Sequence, residues 1–253
     1  MINIKSLMLI VVFNLMFSIL NYKFDLIDFV PFVMFTNRIQ RSYFADNIFS
    51  HINEFSRINL LISRKIEYEQ DYDIGRYRYL GISPQVQETT FWCAPATSSM
   101  LLSFYGVDYS QTKLSTLMDT KLPFGTHNQN AITVINNILN LNNVEKNYNL
   151  VTVKNGDTLD YDKFKSDFYM AINKGNPVYL TLDLTKISDT RKGEHNVLGI
   201  GYVMDKNNEN IKYIIMYDPS SVVFNSTYGS LRIMKVNTLL DSLSMSIEPN
   251  YAY

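Results

Sequence analysis

The stretch whose reading decides the fold runs from Gln85 to Gly106, QVQETTFWCAPATSSMLLSFYG. Gln85 to Trp92 is polar or aromatic apart from Val86. The pattern changes at Cys93. Ala94 to Tyr105 is expected to be a helix: Pro95 suits a first turn, where its missing N–H costs nothing, Ala96, Met100 and Phe104 recur on one face, and Gly106 can end it. Cys93 therefore stands where unpaired backbone N–H groups and the positive end of the helix dipole favour a negative sulfur. A cysteine kept for packing would be expected in mid-helix, beside Met100 and Phe104. On residue type alone, the reading of Cys93 as a small buried hydrophobe stays open.

Working outward, helices come first and strands later. Ser110 is expected to cap a second helix carrying Leu114, Leu117 and Met118. A third spans about Asn130 to Leu141, and a fourth about Tyr161 to Lys174, stopped by Gly175. Pro177 to Leu184, Asn196 to Asp205, Tyr213 to Tyr217 and Ser230 to Lys235 then read as strands. Helices followed by an antiparallel sheet give an α+β domain.

A thiol nucleophile needs a base, a group that orients the base, and donors for the developing oxyanion. The chain has three histidines. His51 falls in an N-terminal helical pattern and His127 in a polar loop, and both read as solvated residues. His195 opens the strand NVLGIGYVMD, an accessible place at the end of a rigid element. That strand is expected to meet Lys212 to Tyr217 through the polar turn Lys206 to Asn210, which returns Asp218 to the level of His195. Gly199 and Gly201 share a face with His195 under period-2 alternation and are expected to leave room for the Cys93 helix. Gln87, six residues before Cys93, carries an amide that with the Cys93 backbone N–H can bind an oxyanion. Gln85 is a weaker candidate for that role.

These residues resemble the papain clan, and within it the peptidase family that includes the processing domains of bacteriocin exporters together with stand-alone secreted members. The resemblance runs from about Gln85 to Pro219. It rests on the quoted stretch, SQTKLSTLMDT followed by GT, NKGNPVYLTL, GEHNVLGIGY and YIIMYDP. It implies a papain-like fold, an N-terminal helical half against a C-terminal antiparallel sheet, and peptide-bond hydrolysis. It further implies Cys93 as nucleophile, His195 as base, Asp218 as orienting acid and Gln87 as oxyanion donor. Ala94 stands where many members have Gly, a small change because Ala is a good helix former. The resemblance covers the peptidase-like segment alone and no attached transporter is expected, so cleavage of leader peptides after a double glycine is not assumed for it.

Composition bounds the alternatives. A chain of 253 residues with 46% hydrophobic content has material for one substantial core. With 23 basic and 24 acidic residues, it offers no overall field for a nucleic-acid backbone. Its single cysteine excludes an internal disulfide, and so few Cys and His residues, so scattered, suit no zinc site. No cofactor is expected; the expected partner is a peptide or protein substrate. Lys5 followed by the apolar run Ser6 to Leu20 reads as an export signal or uncleaved anchor within residues 1–22, with a buried cytosolic helix as the alternative. A secreted or membrane-anchored protein follows, associated with the membrane through its N-terminus where the anchor is kept. Residues 23–82 are expected to be an N-terminal extension, whether a prosegment, a spacer or an elaboration of the domain, and 83–253 the peptidase domain, divided at Ile82-Ser83-Pro84. A transamidase or amidase using the same residues, and an inactive binding relative, are the competing readings.

Overall fold

The computed structural model describes residues 58–64, 73–221 and 230–253. The expected signal, the apolar patch at 29–35, His51 and most of the N-terminal helical pattern lie outside the described residues. Residues 58–64 are helical, and Ile58 and Ile62, one turn apart, are buried in the core.

Strand β1 (Tyr77–Tyr79) precedes three helices, α1 (Cys93–Phe104), α2 (Gln111–Leu117) and α3 (Asn128–Leu141). Strand β2 (Leu150–Thr152), helix α4 (Thr158–Asn173) and strand β3 (Val178–Asp183) follow. The chain ends with the long β4 (Glu194–Met204), β5 (Ile211–Tyr217), β6 (Leu231–Lys235), α5 (Val236–Ser244) and β7 (Asn250–Ala252). The strands form one antiparallel sheet in the order β2-β7-β3-β4-β5-β6, with β1 also paired to β4. This is the α+β architecture expected, with a papain-like arrangement of helices first and sheet after.

Local chemistry explains the boundaries. Ser110 accepts from the Lys113 N–H and starts α2. Asp157 accepts from the N–H groups of Leu159 and Asp160 and starts α4. Helix α1 has no side-chain cap, and its residues from Ala94 to Leu102 are all buried, so packing holds it on every side and not along one stripe.

Successive residues of β4 point to opposite faces. The Asn196 side chain donates to Asn128 of α3, on one face. A Cβ on Gly199 would lie 2.6 Å from Phe168 of α4, on the other. The two glycines of β4 therefore do not make room for the Cys93 helix, as alternation suggested. Gly199 accommodates the Phe168 ring, and Gly201 lets β1 approach, since a Cβ there would stand 2.3 Å from the Arg78 carbonyl. A register shift between the two breaks the strict alternation.

Candidate active site

Cys93 is the first residue of α1 and is half-buried, whereas the nine residues after it are buried. Thr97 lies one turn further on the same face, and its hydroxyl donates to the Asn196 carbonyl at 3.0 Å. That bond pins the head of α1 to β4 beside His195. The sulfur is then 3.5 Å from Asn196 Oδ1 and in hydrogen-bond contact with His195. Nδ2 of Asn196 donates to Asn128 Oδ1 and Thr181 Oγ1, which turns its oxygen toward the sulfur.

His195 is the second residue of β4, opposite Leu182 of β3. It is 4% exposed, so the accessible position expected at the strand end is instead closed in by packing. The β4–β5 ladder turns through Asp205 to Asn210, with Asn208 at φ 59°, a conformation Asn tolerates. Its last pair is Leu198 and Tyr217. Continuing that register makes Asp218 and His195 diagonal neighbours on one face, close enough for long side chains to meet. His195 Nε2–H donates to Asp218 Oδ1 at 2.6 Å, leaving Nδ1 for the sulfur.

Asp218, 1% exposed, is the most heavily bonded carboxylate of the site. Besides His195, Oδ1 accepts from the Ser220 N–H at 3.0 Å. Its Oδ2 accepts from Arg191 Nη1 at 3.2 Å and Arg232 Nη1 at 2.9 Å. Burial works against the charge, but the bonds and charges around it hold the Asp218 carboxyl far below the usual range. Burial likewise disfavours the His195 imidazolium, yet its bonds to Asp218 and Cys93 raise it from 6.5 to about 9. Burial pushes the Cys93 thiol up, but the His195 bond and charge, with the Asn196 and Ala94 N–H groups, outweigh it and bring the thiol below its ordinary value. A thiolate facing an imidazolium is the state these shifts favour.

The Gln87 segment reaches the site from a third direction. Its backbone N–H donates to the Pro219 carbonyl at 2.7 Å, next to Asp218. Its side-chain Nε2 donates one N–H to the Thr89 carbonyl at 2.8 Å, and Oε1 is buried without a hydrogen bond among the described residues. Gln85 is half-buried in the same loop. Of the other histidines only His127 is described, and it pairs with Glu248 at 2.7 Å on the surface.

Cys93, His195 and Asp218 thus meet, and Gln87 is tied to the chain beside them. Sequence reading missed Thr97, Arg191, Asn196 and Arg232. Thr97 and Asn196 were reachable, one by its i+4 spacing from Cys93 and the other as the neighbour of His195. The arginines gave no signal, because Arg191 sits in a loop and Arg232 on a separate strand.

The family model described as the Peptidase_C39 like family matches residues 79–236. No curated protein matches the chain in sequence. Among solved structures, a putative C39-like peptidase from Bacillus anthracis is 13% identical, covering 70% of this chain and 97% of its own, with a TM-score of 0.48. The peptidase domain of Streptococcus ComA, a bifunctional ABC transporter involved in a quorum-sensing pathway, is 15% identical over 68% of this chain and 95% of its own, with a TM-score of 0.40. A double glycine motif protease from an AMS/PCAT transporter, solved with a leader peptide, is 11% identical over 72% and 96%, with a TM-score of 0.43. The matched span runs from the last residue of β1 through β6 and holds every candidate site residue, and the chain accordingly belongs to the Peptidase_C39 like family of cysteine-type peptidases.

Proposed function

We propose that the chain hydrolyses peptide bonds with Cys93 as nucleophile, His195 as general acid and base, Asp218 as the group that orients His195, and Gln87 as an oxyanion donor. The observation that carries this reading is the relay itself: Asp218 holds Nε2 of His195 at 2.6 Å while the other side of the ring meets the sulfur of Cys93.

The steps follow from that geometry. The Cys93 thiolate attacks the peptide carbonyl carbon, and the π electrons move to oxygen. The Cys93 backbone N–H and the Gln87 amide receive the oxyanion. His195 gives its proton to the leaving nitrogen as the C–N bond breaks, forming a thioester and a free amine. His195, now neutral, takes a proton from water as the hydroxide adds to the thioester. Collapse releases the acid and restores the thiolate beside the imidazolium. Asp218 stays ionised throughout and keeps the proton on Nε2.

The same reading takes a peptide or protein as substrate and places the enzyme outside the cytoplasm or on the outer membrane face. Support for that location is the apolar run Ser6 to Leu20 behind Lys5. Of the N-terminal extension 23–82, the described part packs with the domain, since Ile58 and Ile62 are buried in its core and β1 pairs with β4, which supports reading that part as an elaboration of the domain and leaves the role of spacer or prosegment to the residues before it. The test is labelling by a haloacetamide and cleavage of a fluorogenic peptide library by wild type, His195→Ala and Asp218→Ala. Labelling at neutral pH should fall sharply in His195→Ala, and cleavage should be lost in both variants. Undiminished labelling in His195→Ala would overturn the assignment, and transfer to an added amine without hydrolysis would replace the peptidase with a transamidase.

A further inference from the structure

Gln111 is the first residue of α2 and is 4% exposed, an unusual burial for a long polar side chain whose hydrogen bonds among the described residues go to none of Cys93, His195 and Asp218. Both ends of its amide are used on one target. Oε1 accepts from the Glu88 backbone N–H at 2.9 Å, and Nε2 donates to the Val86 carbonyl at 2.9 Å. Those two groups flank Gln87. The amide therefore does for the 86–88 segment what a neighbouring strand does, satisfying a carbonyl at one residue and an N–H two residues on. The opposite edge of the segment is held by the Gln87 N–H to Pro219 carbonyl bond at 2.7 Å.

Gln111 is itself anchored to the Cys93 helix. The Ser99 hydroxyl on α1 donates to the Tyr109 carbonyl at 2.8 Å, and Ser110, the next residue, caps α2. A continuous path thus runs from the nucleophile's helix through the Ser99–Tyr109 hydrogen bond, the backbone from Tyr109 to Gln111, and the two Gln111 hydrogen bonds to both sides of Gln87. The Pro219 bond ties the other edge to the residue that follows Asp218. The Gln87 backbone is referenced to the nucleophile on one edge and to the base's partner on the other.

We propose that Gln111 is a positioning residue for the oxyanion site: its two bonds set the height of Gln87 over Cys93 without touching the substrate. The inference rests on the reading of Gln87 as oxyanion donor. Removing an oxyanion donor outright costs about 10²- to 10³-fold in kcat. Releasing one edge of the segment, with the Pro219 and Thr89 bonds kept, displaces the donor without deleting it, so a loss of about 10- to 100-fold is expected.

The experiment compares wild type, Gln111→Met, Gln111→Glu and Gln87→Ala in the full chain, using a fluorogenic peptide cleaved by wild type, a leupeptin-class peptide aldehyde and iodoacetamide. Gln111→Met keeps length and loses both bonds. Gln111→Glu keeps the acceptor for Glu88 and sets a carboxylate against the Val86 carbonyl. Both should lower kcat with KM within about twofold, and weaken the aldehyde, whose adduct carries the oxyanion, by the same factor. Iodoacetamide alkylation of Cys93 should keep its wild-type rate, because it needs the thiolate and no oxyanion site. If Met does not fold, Glu carries the same comparison. Wild-type kcat and aldehyde affinity in the Gln111 variants, beside an impaired Gln87→Ala, overturn the clamp alone. Alkylation that falls in step with kcat overturns it too, by showing a loss of the whole site. A wild type that neither cleaves peptides nor binds the aldehyde, or a fully active Gln87→Ala, overturns the underlying reading and the clamp with it.

Discussion

Asp218→Asn changes one oxygen to an amide nitrogen, and the neighbours of Asp218 decide how the new side chain lies. Kept in the native orientation, its oxygen accepts from the His195 ring and the Ser220 N–H, and its NH₂ faces the Arg191 and Arg232 guanidinium groups, donor against donor. Flipped, its oxygen accepts two charged N–H groups, its NH₂ donates to His195 Nε2, and the neutral Ser220 N–H loses its acceptor. Bonds to charged groups contribute about 1.5–3 kcal/mol against about 1 kcal/mol for neutral ones, so the flip is favoured by about 2 kcal/mol. The flip moves the His195 proton to Nδ1, where it faces the sulfur and cannot accept the thiol's proton. That alone leaves about one site in 30 competent. Losing the carboxylate charge beside the imidazolium shifts the ring by at least about one pKa unit, another factor of about ten. The expected fall in kcat/KM is therefore about 300-fold or more, measured with a fluorogenic peptide. The arginines also supply a sharper check. Adding Arg232→Met to Asp218→Asn removes one of the two groups that drive the flip, and activity should rise several-fold, although the same change in wild type should lower it. An Asp218→Asn enzyme within tenfold of wild type, or a double variant slower than the single, refutes this reasoning.

The pH dependence follows from the same groups. The thiolate–imidazolium pair exists above the lowered value of Cys93 and below that of His195, so kcat/KM should hold a plateau through neutral pH and fall as pH rises through about 9. In His195→Ala the midpoint of Cys93 alkylation should move up past the ordinary thiol value, because burial remains and its counterweight is gone; an unmoved midpoint refutes the pairing. Stability follows the protons that the folded and unfolded states hold. The contribution of Asp218, whose folded value is depressed, is present above about 4 and lost as pH falls, whereas the raised His195 and the lowered Cys93 offset each other between 6.5 and about 9, because the folded ion pair and the unfolded neutral pair each hold one proton there. Urea midpoints should therefore drop on the acid side in wild type and stay level from 6.5 to about 9, and Asp218→Asn should flatten the acid side. Gly201→Ala places a Cβ 2.3 Å from the Arg78 carbonyl and 2.7 Å from Tyr79 Cα, both backbone, so β1 must move, at a cost of about 1–3 kcal/mol. A urea midpoint equal to wild type would show that β1 is not held there.

Much of the molecule was legible because its signals are local. Pro95 in the first turn, Ser110 ahead of α2 and Gly175 after α4 act within a few residues of themselves, and the helices stand within two or three residues of their expected bounds. The hairpin that brings Asp218 to His195 was readable because a polar turn and strand periodicity set register between neighbours in sequence. Strands β1, β2 and β7 have three residues each, too few to show a period, and exist only because β4, β7 and β3 offer them partners. Helix α5 went unread although its residues are mostly buried.

By itself, then, the chain's order of residues determined where the thiol, the imidazole and the carboxylate stand on their own elements. It could not say which guanidinium groups would converge on Asp218, that β4 would face Phe168 across Gly199, or that Gln111 would reach back to Val86 and Glu88. Those are contacts between segments far apart in the chain, chosen by which surfaces the packed core brings within hydrogen-bond reach. Periodicity and capping describe a residue's own element, and only the folded arrangement of elements decides what stands on the other side.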